Sequence, residues 1–308
     1  MIRIRKRSNV MAATAMLGLV ASACGGGSAG GNGHSPSSTS KPAPTNAAVL
    51  DAYRTTSAAG SVQFSMVMSA NGPGLSLTMN GTGAASKTNN ASQVDLTVPA
   101  QGTTQVRTVG TAMYMQLPQT AAASLNVHTP WVMVDLSKLP GSTLAGSQLG
   151  NYRQGAQAQQ SLAMLQGMST TGIHEVGHAL VRGVATTEYK TTIDVAKLGQ
   201  TALKSSVVEK ELAASHVSTI PVTVWIDSHG RVRQMTWSAA LALPASSGSQ
   251  TTGTTPAQKM TISTTLDLYK FNSPVTITAP PSSQTTNITA TIASAAHGQA
   301  AGGNTAAG

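Results

Sequence analysis

The sequence predicts an α+β fold built on one strongly curved antiparallel β-sheet, with helices covering its concave face. Segments in which apolar residues alternate with Thr, Ser or Gln recur along the chain, as expected for half-buried strands. Two stretches have helical spacing instead, and strands do not alternate regularly with helices, which disfavours a parallel sheet. One side of nearly every predicted strand is apolar, which is typical of a sheet covered on one face.

The first predicted hairpin is the clearest local signal. Apolar residues alternate over 62–68 and again over 75–79. The intervening Asn71-Gly72-Pro73-Gly74 consists of turn-forming residues, so the two segments should pair. Further strands are predicted at 92–98, 103–109, 111–117 and 131–136.

The second half of the chain contains both predicted helices. A loosely amphipathic helix is expected over 144–168 and another over 195–215. A second hairpin is predicted around the turn Ser228-His229-Gly230, in which Asp227 should have a turn-forming role. The strands of this half are predicted at 173–182, 185–194, 222–227, 231–237 and 259–271.

The N-terminus has the organisation of an export signal. A basic start is followed by an apolar run over 10–20, which is too short to span about 30 Å of hydrocarbon comfortably. The run ends in Ala21-Ser22-Ala23-Cys24, with the only Cys of the chain. This arrangement resembles a bacterial lipobox, in which the thiol is lipidated, although Ala21 stands where Leu or Val is usual. The alternative is an ordinary secretion signal with an unrelated Cys.

Composition divides the chain into four parts. We predict a signal peptide over 1–23 and a lipidated Cys24 with a disordered tether over 24–46. Gly, Ser, Pro, Thr and Asn dominate the tether and cannot bury enough apolar surface to order it. One folded domain is predicted over 47–281, followed by a disordered low-complexity tail over 282–308.

Charge and aromatic content exclude several functions. Only 9% of the 308 residues are charged and 3% are aromatic, so a coiled coil and a nucleic-acid partner are disfavoured. The formal charge of +9 falls to +5 when the four basic residues of the signal are removed. No phosphate-binding loop, nucleophile elbow or paired carboxylates occur, so neither a cofactor nor an enzymatic activity is predicted.

One motif suggests a metal site. His174-Glu175-Val176-Gly177-His178 matches H-E-x-x-H, which on a helix places two His side chains one turn apart to share a zinc ion. The surrounding residues predict a strand. There the two His would share a face but lie about 13 Å apart, too far for one zinc ion. A zinc metallopeptidase therefore remains only a remote alternative, and no metal site is predicted.

The apolar faces of the predicted strands are rich in methionine. Met adapts to irregular apolar surfaces, and Phe64 and Phe271 are the only Phe in the chain. A wide sheet with few bulky rings leaves volume that a lipid could fill, with the helix at 144–168 as a lid. The alternative is an ordinary filled core. The candidate lipid-binding residues are Val62, Phe64, Met66, Met68, Leu77, Met79, Met113, Met115, Leu162, Leu165, Val224, Met235 and Trp237.

Several stretches resemble the actinobacterial LppX/LprG-type lipoproteins in sequence and in order. They are WVMVDLSKL (131–139), RGVATTEYKTTIDVAKL (182–198) and VEKELAASHVSTIPVTVWIDSHGRVRQMTWSAAL (208–241). The resemblance covers about residues 48–275. It implies a half-barrel like that of the LolA/LolB lipoprotein carriers, with a cavity for acylated lipids between sheet and helices.

The sequence thus predicts a lipoprotein on the outer face of the cell membrane that binds a lipid or acyl chain and carries or presents it. Its expected partners are a lipid or acylated glycolipid, the membrane through the N-terminal anchor, and an envelope transporter. The alternative is a ligand-free envelope scaffold or partner-binding lipoprotein of the same fold.

Overall fold

One large β-sheet dominates the computed structural model, which describes residues 45–99, 102–117, 122–123, 127–139, 165, 168, 172–198, 215–242 and 259–294. In chain order the first strands are β1 (Ser61–Gly72), β2 (Leu75–Ser86), β3 (Ala91–Val98), β4 (Gly102–Val109), β5 (Ala112–Gln116) and β6 (Trp131–Asp135). The others are β7 (His174–Val181), β8 (Val184–Asp194), β9 (Thr219–Asp227), β10 (Val232–Ala242), β11 (Lys259–Tyr269) and β12 (Thr285–Asn287). Every predicted strand is present, with ends that differ by a few residues.

The sheet is curved and unclosed, with the order β12-β6-β5-β4-β3-β2-β1-β11-β10-β9-β8-β7. All neighbouring pairs are antiparallel except β12 and β6, which run parallel. The first predicted hairpin is β1–β2, in which Phe64 lies opposite Gly83. The predicted antiparallel, strongly curved sheet is confirmed, apart from that short parallel pair.

A helix that the sequence analysis did not predict precedes the first strand. Helix α1 (Thr45–Ser57) packs against β9 and β10 and buries Val49 and Ala52 in the main core. The hydroxyl of Thr56 accepts a hydrogen bond of 2.8 Å from the N–H of Val232, which ties the end of α1 to the start of β10. α1 therefore covers part of the inner face.

The two predicted helices fall largely outside the described residues. Of 144–168, only two residues are described: Leu165 is fully buried, and Met168 forms an antiparallel bridge with Ile193. The predicted helix therefore does not extend to Met168, because the chain there is already paired with a strand. Helix α2 (Val195–Leu198) begins where the second predicted helix begins. Residues 199–214 are not described.

The folded region continues beyond the predicted boundary at residue 281. The 3₁₀ helix Ser282–Gln284 leads into β12, which pairs with Trp131 and the next residues of β6, and residues 289–294 are helical. The prediction of a disordered tail starting at 282 is therefore wrong for 282–294. The free edge of β6 supplies hydrogen-bonding partners that the polar composition of this segment does not reveal.

The segment between β11 and β12 crosses the outer side of the sheet. The guanidinium of Arg107 on β4 donates a 3.0 Å hydrogen bond to the carbonyl of Thr278 and stacks 5.0 Å from the ring centre of Trp131. Ile277 is buried but lies outside the main core cluster. This segment thus carries the chain from the middle of the sheet to its edge.

Candidate functional site

The inner face of the sheet forms one continuous apolar surface. Because side chains alternate along a strand, the register places Phe64 beside Leu268 and Met66 beside Leu266 on one face. The same face continues through Met235, which lies opposite both Leu266 and Val224. In the other direction it reaches β5, where Met113 faces Val134 and Met115 faces Val132.

The structure brings the candidate lipid-binding residues together on this surface. Ten of them are buried in a single core cluster: Val62, Phe64, Met66, Met68, Met79, Met113, Leu165, Val224, Met235 and Trp237. Leu77 and Met115 are half-buried and pack against it. Leu162 and most of the predicted lid lie outside the described residues, as does Cys24.

Residues from outside the sheet also contribute to the inner surface. Val49 and Ala52 of α1 belong to the cluster, and Ile288 and Ile292 near the C-terminus pack against it. Sequence analysis missed all four. Helical spacing of Val49, Ala52 and Thr56 was a usable signal for α1, whereas nothing in the polar surroundings of Ile288 distinguishes it.

A groove of about 450 Å³ lies where the inner face meets the edge formed by β7 and β8. Its volume is within the range of small-molecule sites, about 300–1,000 Å³. Ile226 connects it to the core cluster, and Leu180 beside it is 74% exposed. Its lining includes His178, Leu180, Ala185, Thr187, Ile226 and Ser228.

The H-E-x-x-H segment lies on strand β7, as predicted, but its two His do not share a face. A bulge between Glu175 and Gly177 places His174 opposite Lys190 and His178 opposite Thr187. Lys190 and Thr187 are three residues apart on β8, so their side chains point to opposite faces of the sheet. The two His opposite them therefore also point to opposite faces. The prediction that the two His share a face is therefore wrong, because the sequence alone does not reveal such a bulge. Within the described part of the chain, no group of three or more His, Cys, Asp or Glu could hold a metal ion.

The β9–β10 turn is organised by one buried carboxylate. Asp227 accepts backbone hydrogen bonds of 2.9 Å from His229 and Arg231, which confirms its predicted turn-forming role. Arg233 adds a 2.6 Å ion pair. Burial disfavours the charged carboxylate, but the N–H of Arg231, the guanidinium of Arg233 and the N–H of His229 outweigh it and lower the pKa of Asp227.

On the outer face, a second polar cluster joins distant strands. Arg182 in the β7–β8 turn pairs with Asp267 of β11 at 3.1 Å and donates to the hydroxyl of Ser65 at 2.6 Å. Its guanidinium also lies 4.1 Å from the ring centre of Tyr269. These contacts hold the tip of the β7–β8 hairpin against the centre of the sheet.

The fold and this surface place the chain in the class of proteins that are built on one open, curved antiparallel sheet with a continuous apolar inner face. Among the described residues, no helix is long and apolar enough to cross a membrane.

No protein-family model matches the chain, and no curated protein matches it. Solved structures similar to it include lipoprotein LppX of Mycobacterium tuberculosis, at 17% identity and a TM-score of 0.41, covering 76% of this chain and 98% of that one. LprF of Mycobacterium bovis is similar at 14% identity and a TM-score of 0.41, covering 77% and 96%. A LolA superfamily protein of Nitrosomonas europaea is similar at 11% identity and a TM-score of 0.25, covering 78% and 96%.

Proposed function

We propose that this protein is a lipoprotein of the cell envelope that binds an acyl chain of a lipid or acylated glycolipid on its inner face and carries or presents it. Cys24, as the acylated N-terminus, anchors it to the outer face of the cell membrane. No bond-making chemistry is part of this function. An envelope transporter is a fitting partner for the exchange of the lipid.

The observation that carries this proposal is the composition of the inner surface. Met66, Met68, Met79, Met113 and Met235 are buried on it, on four different strands. Unbranched thioether side chains change rotamer easily and fit irregular apolar shapes. Among the buried residues of the described cluster, only Phe64 and Trp237 are aromatic. A surface of this kind can rearrange around an acyl chain.

Apolar burial supplies the affinity in this proposal. Each methylene transferred from water contributes about 0.8 kcal/mol, so ten methylenes would contribute on the order of 8 kcal/mol before the cost of immobilisation. The groove beside β7 and β8 joins the inner face through Ile226. It offers a route from solvent to the core.

Native mass spectrometry tests the proposal on the processed chain, from residue 24 onward, with Cys24→Ser to exclude the covalent anchor. We expect a species heavier than the bare chain by one lipid. Met115→Trp adds a ring on the inner face and should reduce this species. Met133→Trp is the matched control, because Met133 lies on the outer face of β6 beside Tyr114.

Two results would contradict the proposal. One is bare protein alone, with no binding of added phospholipid or glycolipid, which would favour the ligand-free envelope scaffold. The other is equal loss of lipid in both Trp variants, which would show that the inner face is not the binding surface. Circular dichroism of each variant verifies that it is folded.

A further inference from the structure

Four chain segments converge at one end of the sheet, at the start of β1 and the end of β11. The N–H of Lys87 donates to the carbonyl of Gly60 at 2.8 Å, and the N–H of Asn272 donates to the carbonyl of Ser61 at 2.9 Å. The β9–β10 turn joins them, since Arg231 stacks 5.4 Å from the ring centre of Phe271. We call this region the basic end.

The basic end carries cations that have no acidic partner among the residues that the structure describes. Within the described part of the chain, no carboxylate lies within ion-pair distance of Lys87, Lys270 or Arg231. The neighbouring cations Arg54, Lys138, Arg182 and Arg233 each pair with one aspartate. The acidic groups here are therefore already neutralised, and an excess of positive charge remains.

Among the described residues, the opposite end of the sheet lacks this excess. There, Lys197 and Lys259 are exposed, and Asp194 and Glu175 lie at the same end of the strands. Cations and carboxylates are therefore balanced, in contrast to the basic end.

An exposed leucine accompanies the basic end. Leu180 precedes the β7–β8 turn and is the most exposed of the large apolar side chains in the described residues, at 74%. The turn itself is held beside Tyr269, the neighbour of Lys270, by Arg182. Positive charge next to an exposed apolar side chain is typical of surfaces that bind the interface of anionic membranes.

We propose that the basic end is the face that docks on an anionic lipid surface. The leucine and the apolar groove beside it favour a bilayer over an acidic protein. A nucleic acid is disfavoured because no aromatic side chain among the described residues at this end is exposed for base stacking. This goes beyond the proposed function, because docking does not require that the core binds a lipid.

Vesicle co-sedimentation at low salt tests this inference. The processed chain with Cys24→Ser is mixed with vesicles of phosphatidylcholine alone, or of phosphatidylcholine and phosphatidylglycerol in equal parts. We expect binding only to the anionic vesicles, and weakening by added salt. Lys87→Gln with Lys270→Gln should reduce binding about 30-fold, since each cation near an anionic surface contributes roughly fivefold.

The matched control is Lys197→Gln with Lys259→Gln, which removes the same number of exposed lysines from the opposite end. It should bind as tightly as the parent chain. Equal weakening by both pairs would overturn the inference, because net charge rather than a docking face would then govern binding. The inference would also be overturned if the parent chain did not bind anionic vesicles. An acidic protein would then be the remaining candidate partner of the basic end. All four lysines are exposed, so both pairs should fold.

Discussion

The ring of Phe64 on β1 occupies the space above Gly83 on β2, where any other residue would place its Cβ atom. The two residues are direct cross-strand partners on the inner face. A Cβ at position 83 would overlap Cζ of Phe64 and the carbonyl oxygen of Gln93. Phe64 is itself fully buried, so its ring has little freedom to move aside.

Gly83→Ala should therefore destabilise the protein, by about 1–3 kcal/mol, as overpacked core substitutions do. Chemical denaturation of the processed chain measures the change. Combining Gly83→Ala with Phe64→Leu should restore part of the loss, because the smaller side chain leaves room for the new methyl group. Strictly additive effects of the two substitutions would contradict this packing relationship.

The Asp227–Arg233 ion pair should make stability fall in acid. The pKa of Asp227 is lowered by folding, so its stabilising contribution is complete above the unfolded pKa of about 4 and is lost as the pH falls through the folded value. Asp227→Asn should destabilise the protein at neutral pH by about 3 kcal/mol, because it leaves Arg233 without its charged partner.

The same variant should also show a weaker dependence of unfolding free energy on pH in the acidic range. Denaturation curves at several pH values below neutral distinguish the two chains. Asp51→Asn is a suitable control, because its ion pair with Arg54 is exposed and should contribute little. A parallel pH dependence in Asp227→Asn and the parent chain would contradict the proposed role.

The C-terminal strand should be needed for a stable sheet. A chain that ends at residue 281 loses β12 and the contacts of Ile288 and Ile292 with the core. Full burial of an isoleucine contributes about 1.5–3 kcal/mol, and both side chains are half-buried, so we expect a loss of about 2 kcal/mol in unfolding free energy. A chain that ends at residue 294 keeps these contacts and should unfold like the parent. Equal stability of both shortened chains would show that β12 is dispensable.

Acylation at Cys24 should decide where the protein resides. In cells that process lipoproteins, Cys24→Ser should shift the protein from the detergent phase to the aqueous phase on phase separation and abolish incorporation of labelled palmitate. Two or more acyl chains anchor stably, whereas the proposed docking of the basic end alone would give reversible binding. Unchanged partitioning of the Cys24→Ser variant would contradict the anchor.

Removal of bound lipid should lower stability. A ligand that binds only the folded chain stabilises it by about 2.7 kcal/mol at one hundred times its dissociation constant. Delipidated protein should therefore unfold at a lower temperature than protein with added phospholipid or glycolipid. Met115→Trp should reduce this shift. An identical melting temperature with and without lipid would argue against occupancy of the inner face.

The strands were predictable because their signal is local. Alternation over 62–68 and the turn at Asn71-Gly72-Pro73-Gly74 determine both the strand type and the face that is buried. The apolar candidates on these strands consequently lie together on one surface. The turn-forming role of Asp227 was also predictable, because it depends on backbone groups only a few residues away.

The remaining features depend on partners distant in sequence. β12 has a polar composition and forms because β6 offers a free edge. The bulge in β7 depends on the register with β8, and it reverses the face of His174 relative to His178. The ion pair of Arg182 with Asp267 joins residues 85 positions apart. Neither periodicity nor composition within one segment contains this information.

The centre of the sheet is assembled from strands near the beginning and near the end of the folded chain. β1 lies between β2 and β11, and the hydroxyl of Ser61 donates to the carbonyl of Ser273, 212 residues later. Contacts so distant in sequence make folding slow, because a long loop must close before they form. If the chain is exported from its N-terminus, β1 emerges long before β11. It would lack this neighbour until the last third of the chain had been exported. We therefore expect assembly of the sheet to wait for the end of translocation, which keeps the chain open enough to pass through a narrow export channel.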